Sequence, residues 1–156
     1  MKPITFMLAV AALIGMLAAP AAQAQNWSLS PTYGSISLSS GFSNDPRYLT
    51  VTAGGSRHFS GGGCSGWVAD APDFRVHYNA GSVFSLSFYV RAPGDTILVV
   101  NDPSGRWYCN DDTAGLDPGM TFPNPSSGQY DIWVGTFNRN MINGARLYVS
   151  ELGVFN

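Results

Sequence analysis

The sequence predicts an all-β domain, a sandwich or a barrel. Short runs of alternating or wholly apolar residues recur, and clusters of Gly, Pro, Asn and Asp separate them. No stretch carries apolar residues at convincing helical spacing. With 156 residues, 18 Gly and 10 Pro, the chain has the length of one domain and the turn content of a multi-strand one.

In Ser35 to Ser39, Ile36 and Leu38 share a face, and Leu49, Val51 and Ala53 do the same over Tyr48 to Ala53. Phe74, Val76 and Tyr78 oppose Arg75, His77 and Asn79, while Phe84, Leu86, Phe88 and Val90 alternate with Ser85, Ser87, Tyr89 and Arg91. These two runs read as a hairpin joined through Ala80-Gly81-Ser82. Ile97-Leu98-Val99-Val100 is continuously apolar and predicts a central strand covered on both faces. Tyr130, Ile132 and Val134, then Leu147 and Val149, complete the set. Turn chemistry at 60–63, 93–94, 103–105, 117–119 and 124–128 separates the runs. The expected total is about seven to nine strands, a sandwich count.

Residues 1–24 are expected to be removed. Lys2, an apolar run from Ile4 to Ala19 and Ala22-Gln23-Ala24 form a secretory signal with cleavage before Gln25. Residues 25–156 are then a single domain of 132 residues, with Gln25 to Pro31 a short lead-in. The expected location is the periplasm or the medium, and no later apolar run is long enough to span a membrane. This portion has seven Arg, no Lys and ten acidic residues. No cationic excess exists to displace counterions from nucleic acid. Without Lys there is no Schiff base, Ser–Lys dyad or phosphate-binding P-loop lysine.

Cys64 and Cys109, in an oxidising compartment, are expected to pair. In the chain-entropy model a loop of this size stabilises the fold by roughly 4 kcal/mol. The bridge would bring together two polar loops, 64–73 and 101–117. Asp70, Asp73, Asp102, Asn110, Asp111 and Asp112 then become candidate ligands of one cation, with calcium the natural choice for flexible, hard oxygen donors. Their spacing is not that of an EF-hand, and solvated turn aspartates are the competing explanation.

Four segments share a pattern: Gly94 to Val100, Asp102-Pro103-Ser104-Gly105, Cys109 to Asp112, and Ser127 to Gly135. They give a D-x-x-L strand, a D-P-x-G turn, a D-D loop and an S-G-x-Y strand. Together they resemble the bacterial pre-peptidase C-terminal domain over about residues 67–152. The resemblance implies an antiparallel, jelly-roll-like β-sandwich that serves as an accessory module of secreted proteases. Related modules in clostridial collagenases bind collagen in a calcium-dependent way. It implies that Asp95 and Asp102 flank the central strand and that Asp111 and Asp112 form the acidic loop. The departure is the lack of a protease domain in these residues. The segment with Gly41-Phe42 and Asp45-Pro46 also lies outside the pattern.

A secreted serine peptidase-related hydrolase is the alternative reading, a label that small exported proteins can inherit from multidomain relatives. Ser, His58, His77 and Asp supply the residue types of a triad. Yet Gly63-Cys64-Ser65-Gly66-Trp67 is not a nucleophile elbow, and Asp111 and Asp112 do not establish the facing separation of a glycosidase pair. Trp67, Trp107, Tyr108 and Trp133 are candidate ligand-binding aromatics, with core packing as the competing role. The sequence thus predicts an exported, non-catalytic binding or accessory module, calcium-stabilised at its acidic end. Its expected partner is an extracellular protein or polysaccharide.

Overall fold

Eleven strands form in the computed structural model, which describes residues 25–156; the expected signal segment 1–24 lies outside them. They are β1 (Ser35–Ser39), β2 (Arg47–Ala53), β3 (Arg57–Gly61), β4 (Cys64–Val68), β5 (Phe74–Asn79), β6 (Leu86–Arg91), β7 (Thr96–Asn101), β8 (Trp107–Asn110), β9 (Gly119–Phe122), β10 (Gly128–Thr136) and β11 (Ile142–Ser150). The chain is all-β, as predicted, and packs as two sheets. The four strands beyond the seven apolar runs are β3, β4, β8 and β9. They are short and rich in Gly, Cys and polar residues, so apolar alternation does not announce them.

One sheet runs β2-β11-β6-β9. The other has seven strands built around β10, whose one edge is divided between two partners. Residues 128–132 pair with β5, and β4 takes over at Thr136. The opposite edge pairs with β7, which in turn carries β8. The break falls at Val134. There the Asp73 carboxylate accepts the Val134 N–H at 2.7 Å, and the Val134 carbonyl accepts the Gly54 N–H at 2.9 Å. A side chain thus completes hydrogen bonding where no neighbouring strand does.

The expected 74–90 hairpin does not form: β5 lies in the seven-stranded sheet and β6 in the four-stranded one. Val76 and Tyr78 meet the same core as Leu86 and Phe88 from the opposite sheet, so the connection crosses between layers. β5 pairs instead with β10 and, in parallel, with β1, a departure from a purely antiparallel arrangement.

Burial explains the continuous apolar run in β7. Leu98 and Val100 enter the main core between the sheets, together with Ile132, Val134, Phe88 and Leu147. Ile97 and Val99 face the other way, into a second core with Trp133, Phe59, Val68 and Cys109. The β3–β4 hairpin covers this outer face and turns part of the sandwich into three layers. Gly135 sits where β4 passes β10. A Cβ there would fall 2.6 Å from the Trp67 carbonyl oxygen and from side-chain atoms of Ile97 and Val68. The predicted disulfide is present between Cys64 and Cys109, with Cα atoms 5.3 Å apart. The Cys109 N–H also donates to the Gly62 carbonyl, closing the hairpin onto β8.

Two outcomes follow from this arrangement. Replacing both Cys64 and Cys109 with Ala should lower unfolding free energy in urea by about 2–4 kcal/mol, through a freer unfolded chain and a looser second core. Asp73, 3% exposed, has a pKa raised to about 7 by burial, against the lowering effect of the Val134 N–H. The native state therefore holds a proton that the unfolded chain has released between about pH 4 and 7, and stability falls as pH rises through that window. Asp73→Asn keeps an acceptor for Val134 and removes the titration. It should flatten a slope worth up to about 4 kcal/mol, read from urea unfolding at a series of pH values.

Candidate functional site

The acidic residues singled out in the sequence do not converge. Asp102 starts the β7–β8 turn and caps it: Oδ1 accepts from the Ser104 N–H and hydroxyl and from the Arg106 N–H, and Oδ2 accepts from Tyr108 at 3.1 Å. Burial pushes its pKa up, but these bonds outweigh burial and hold the carboxyl below its ordinary value. Asn110 accepts from the Thr113 hydroxyl and the Gly119 N–H, tying the 110–119 loop to the start of β9. Asp70 pairs with Arg57 at 3.5 Å, and Asp73 serves the β10 backbone. Asp111 and Asp112 instead lie near Asp95, whose pKa is raised by burial and then by these two charges. Among the described residues no group of three or more His, Cys, Asp or Glu is placed to hold a metal ion. The donor set does not fit the expected calcium site, because Asp70, Asp73, Asp102 and Asn110 already serve other groups.

The aromatic residues divide between core and surface. Trp133 is fully buried, its ring 5.1 Å from Trp107, and offers no face to a ligand. The alternation that turned it away from Ile132 and Val134 pointed it under the β3–β4 hairpin rather than into solvent. Trp107 is half-buried and leans on Phe59. Trp67 is half-buried between His58, edge-on at 5.1 Å, and the Arg139 guanidinium at 4.6 Å. His77 is exposed on β5. Among the described residues neither histidine is hydrogen-bonded to a serine or carboxylate. Tyr108 stays half-exposed, with its ring edge-on to Phe122 at 5.0 Å.

Two grooves flank the Asp102–Tyr108 bond, each about 460 Å³. The first opens between β8 and β9, lined by Tyr108, Asn110, Met120, Phe122, Pro123 and Asn124. The second opens on the other side of the β7–β8 turn, lined by Trp27, Asn101, Asp102, Ser104, Gln129 and Asp131 among others. The 123–128 loop contributes to both.

The second groove is the better organised. Arg75 donates to Asp131 at 2.6 Å and to the carbonyls of Trp27 and Leu29, so one partly buried ion pair anchors both the groove and the segment bearing Trp27. Gln129 donates to Asp131 at 2.7 Å and retains its carbonyl oxygen and a second N–H for a ligand. Trp27 remains 54% exposed although its backbone is held. Sequence reading did not reach Trp27, which stands in the lead-in, or Gln129, whose motif reads as strand. An unaccompanied Trp in a polar segment was the available signal.

No family model and no curated protein matches the chain. Solved structures that resemble it include two from bacteria. One is PliG of Aeromonas hydrophila, a periplasmic inhibitor of g-type lysozyme, at 15% identity and a TM-score of 0.40 over 74% of this chain and 96% of that one. The other is CorA, a surface-associated copper-binding protein of Methylomicrobium album BG8. It is 11% identical with a TM-score of 0.45, over 78% of this chain and all of that one.

With the carboxylates so committed, calcium should add little stability. Thermal midpoints in chelator and in millimolar calcium should coincide; a clear rise with calcium would instead place a cation at Asp95, Asp111 and Asp112.

Proposed function

We propose that this chain is an exported, non-catalytic binding module for an extracellular polysaccharide, with the Trp27 groove as the seat of one sugar unit. The observation that carries this reading is the exposed Trp27 ring beside planar polar groups at Gln129, Asp131 and Asp102. A sugar ring presents an apolar C–H face and a rim of hydroxyls. An aromatic surface covers the face, while the remaining oxygen and N–H of the Gln129 amide bond to the rim. The two carboxylates favour a neutral glycan over an acidic one. The first groove supplies Phe122, Tyr108 and Asn124 for further units, along the 123–128 loop common to both. The sequence resemblance to accessory modules supports the non-catalytic part of this reading, not the polysaccharide.

A protein partner is the second reading, favoured by the outer face of the four-stranded sheet. There Tyr48, 63% exposed, lies over Tyr148, which stacks on Tyr89 with centroids 4.6 Å apart; Arg146 flanks Tyr48. Tyr and Arg are enriched at protein interfaces.

Retention on a panel of insoluble neutral polysaccharides separates the two readings. Trp27→Ala should weaken retention about tenfold, and Gln129→Ala about threefold, with unchanged thermal midpoints. Tyr48→Ala should bind as the parent does. Retention that survives Trp27→Ala, or no retention on any member of the panel, would overturn the sugar reading.

A further inference from the structure

Charge is divided unevenly between the two sheets. Residues 25–156 contain ten acidic residues, yet none lies in β2, β6, β9 or β11, strands that hold Arg47, Arg91 and Arg146. On the outer face of this four-stranded sheet, exposed Arg146 stands directly opposite exposed Arg91. Like charges so placed destabilise a sheet, and no carboxylate offsets them. Among the described residues neither guanidinium has an ion pair or a hydrogen bond; the ion pairs that form use Arg57 and Arg75. Asp45, Asp117 and Glu151, each within two residues of these strands, serve other groups. Asp117 accepts the Ala92 N–H, Asp45 accepts the Glu151 N–H, and Glu151 accepts from the Tyr78 hydroxyl and the Gly41 N–H.

Beside the arginines, four rings lie one against the next. Tyr48 is tilted on Tyr148, Tyr148 stacks on Tyr89 with planes 1° apart, and Phe155 lies against Tyr89. The Arg146 guanidinium is over Tyr48 at 5.9 Å and the Arg91 guanidinium over Phe155 at 4.9 Å, so a cation stands at each end of the row. Such contacts steady the two charges and leave their N–H donors for an acceptor.

We propose that the outer face of the β2-β11-β6-β9 sheet is a docking site for an acidic protein, whose carboxylates engage Arg91 and Arg146 across the tyrosine row. A guanidinium takes a carboxylate in a two-pronged pair, and Tyr and Arg are the side chains that most often anchor protein interfaces. Other occupants fit less well. A second copy docked about a two-fold axis would set these arginines against their own counterparts, with no acid in the strands of either face. A sugar ring needs an open aromatic face, whereas Tyr148 and Tyr89 each lie between two other rings. In a chain with more acids than arginines, one basic strip also orients an acidic partner. This inference deepens the protein-partner reading of the face and is independent of the Trp27 groove.

The test titrates the full chain, isotope-labelled and purified after export, with a synthetic peptide of alternating Glu and Tyr, and follows backbone amide shifts at low salt. Shifts should concentrate at Arg91, Arg146 and Tyr148 and shrink as salt is raised. Arg91→Gln with Arg146→Gln should raise Kd about tenfold at an unchanged thermal midpoint, and each single variant about threefold, which keeps the test open should the double variant unfold. Trp27→Ala should bind the peptide as the parent does, so loss of the sugar site leaves this one standing. No shifts, shifts centred elsewhere, or variants that bind as the parent does overturn the proposal. Oligogalacturonate, which carries its carboxylates on sugar rings, should bind more weakly; tighter binding than the peptide assigns the face to an acidic glycan and overturns it. Self-association that the double variant abolishes assigns the face to a second copy and also overturns it.

Discussion

β10 has to bury both of its faces, and much of the molecule is arranged to let it do so. Ile132 and Val134 fill the space between the sheets, while Trp133 points the opposite way. An antiparallel sandwich ordinarily leaves that second face to water. Here the β3–β4 hairpin doubles back over it, and the Cys64–Cys109 bridge clamps the hairpin to β8. The hairpin cannot reach over β10 while β5 also follows the same edge to its end. The edge is therefore divided, and Asp73 bridges the interruption at Val134.

The same strand links the core to the candidate site. Asp131, one residue before the apolar stretch, is buried and ion-paired with Arg75, and the Arg75 guanidinium reaches the lead-in backbone. Removing Arg75 would leave the Asp131 carboxylate without a counter-charge away from water, a heavier penalty than loss of an exposed pair. The groove thus inherits its shape from the sheet, whereas Trp27 supplies an exposed aromatic surface at its rim. Asp102 acts in the same manner on the neighbouring turn: its cap fixes the loop, and its bond to Tyr108 sets the wall between the grooves.

Strand identity was largely legible in the sequence, because apolar alternation is a local property. The double-sided burial of β7 followed from four consecutive apolar residues, and the disulfide followed from two cysteines in a chain expected to reach an oxidising compartment. Pairing was less legible. Residues 74–79 and 86–91 alternate as a hairpin would, but only the whole core decides that they stand in opposite sheets. Trp133 shows the same limit, since its direction was readable and its cover was not. The aspartates were ambiguous for a chemical reason. Asp102 in Asp-Pro-Ser-Gly is as well suited to cap its own turn as to ligate a cation, and residue spacing does not distinguish these uses. Trp27 escaped notice because no strand pattern surrounds it.

The late position of β10 in the chain has a kinetic meaning. Its partners β4, β5 and β7 all precede it, and β11, which joins β2 to β6, follows it. Until residues 128–150 are available, the earlier strands lack the neighbours that close either sheet. Such a topology is dominated by contacts between distant residues, which must bear the entropy of loop closure before they return any stability. A nascent chain of this design gains little native structure until almost all of it has been made. For a polypeptide that crosses a membrane before folding, that delay keeps it threadable, and the slow step falls where the disulfide can form.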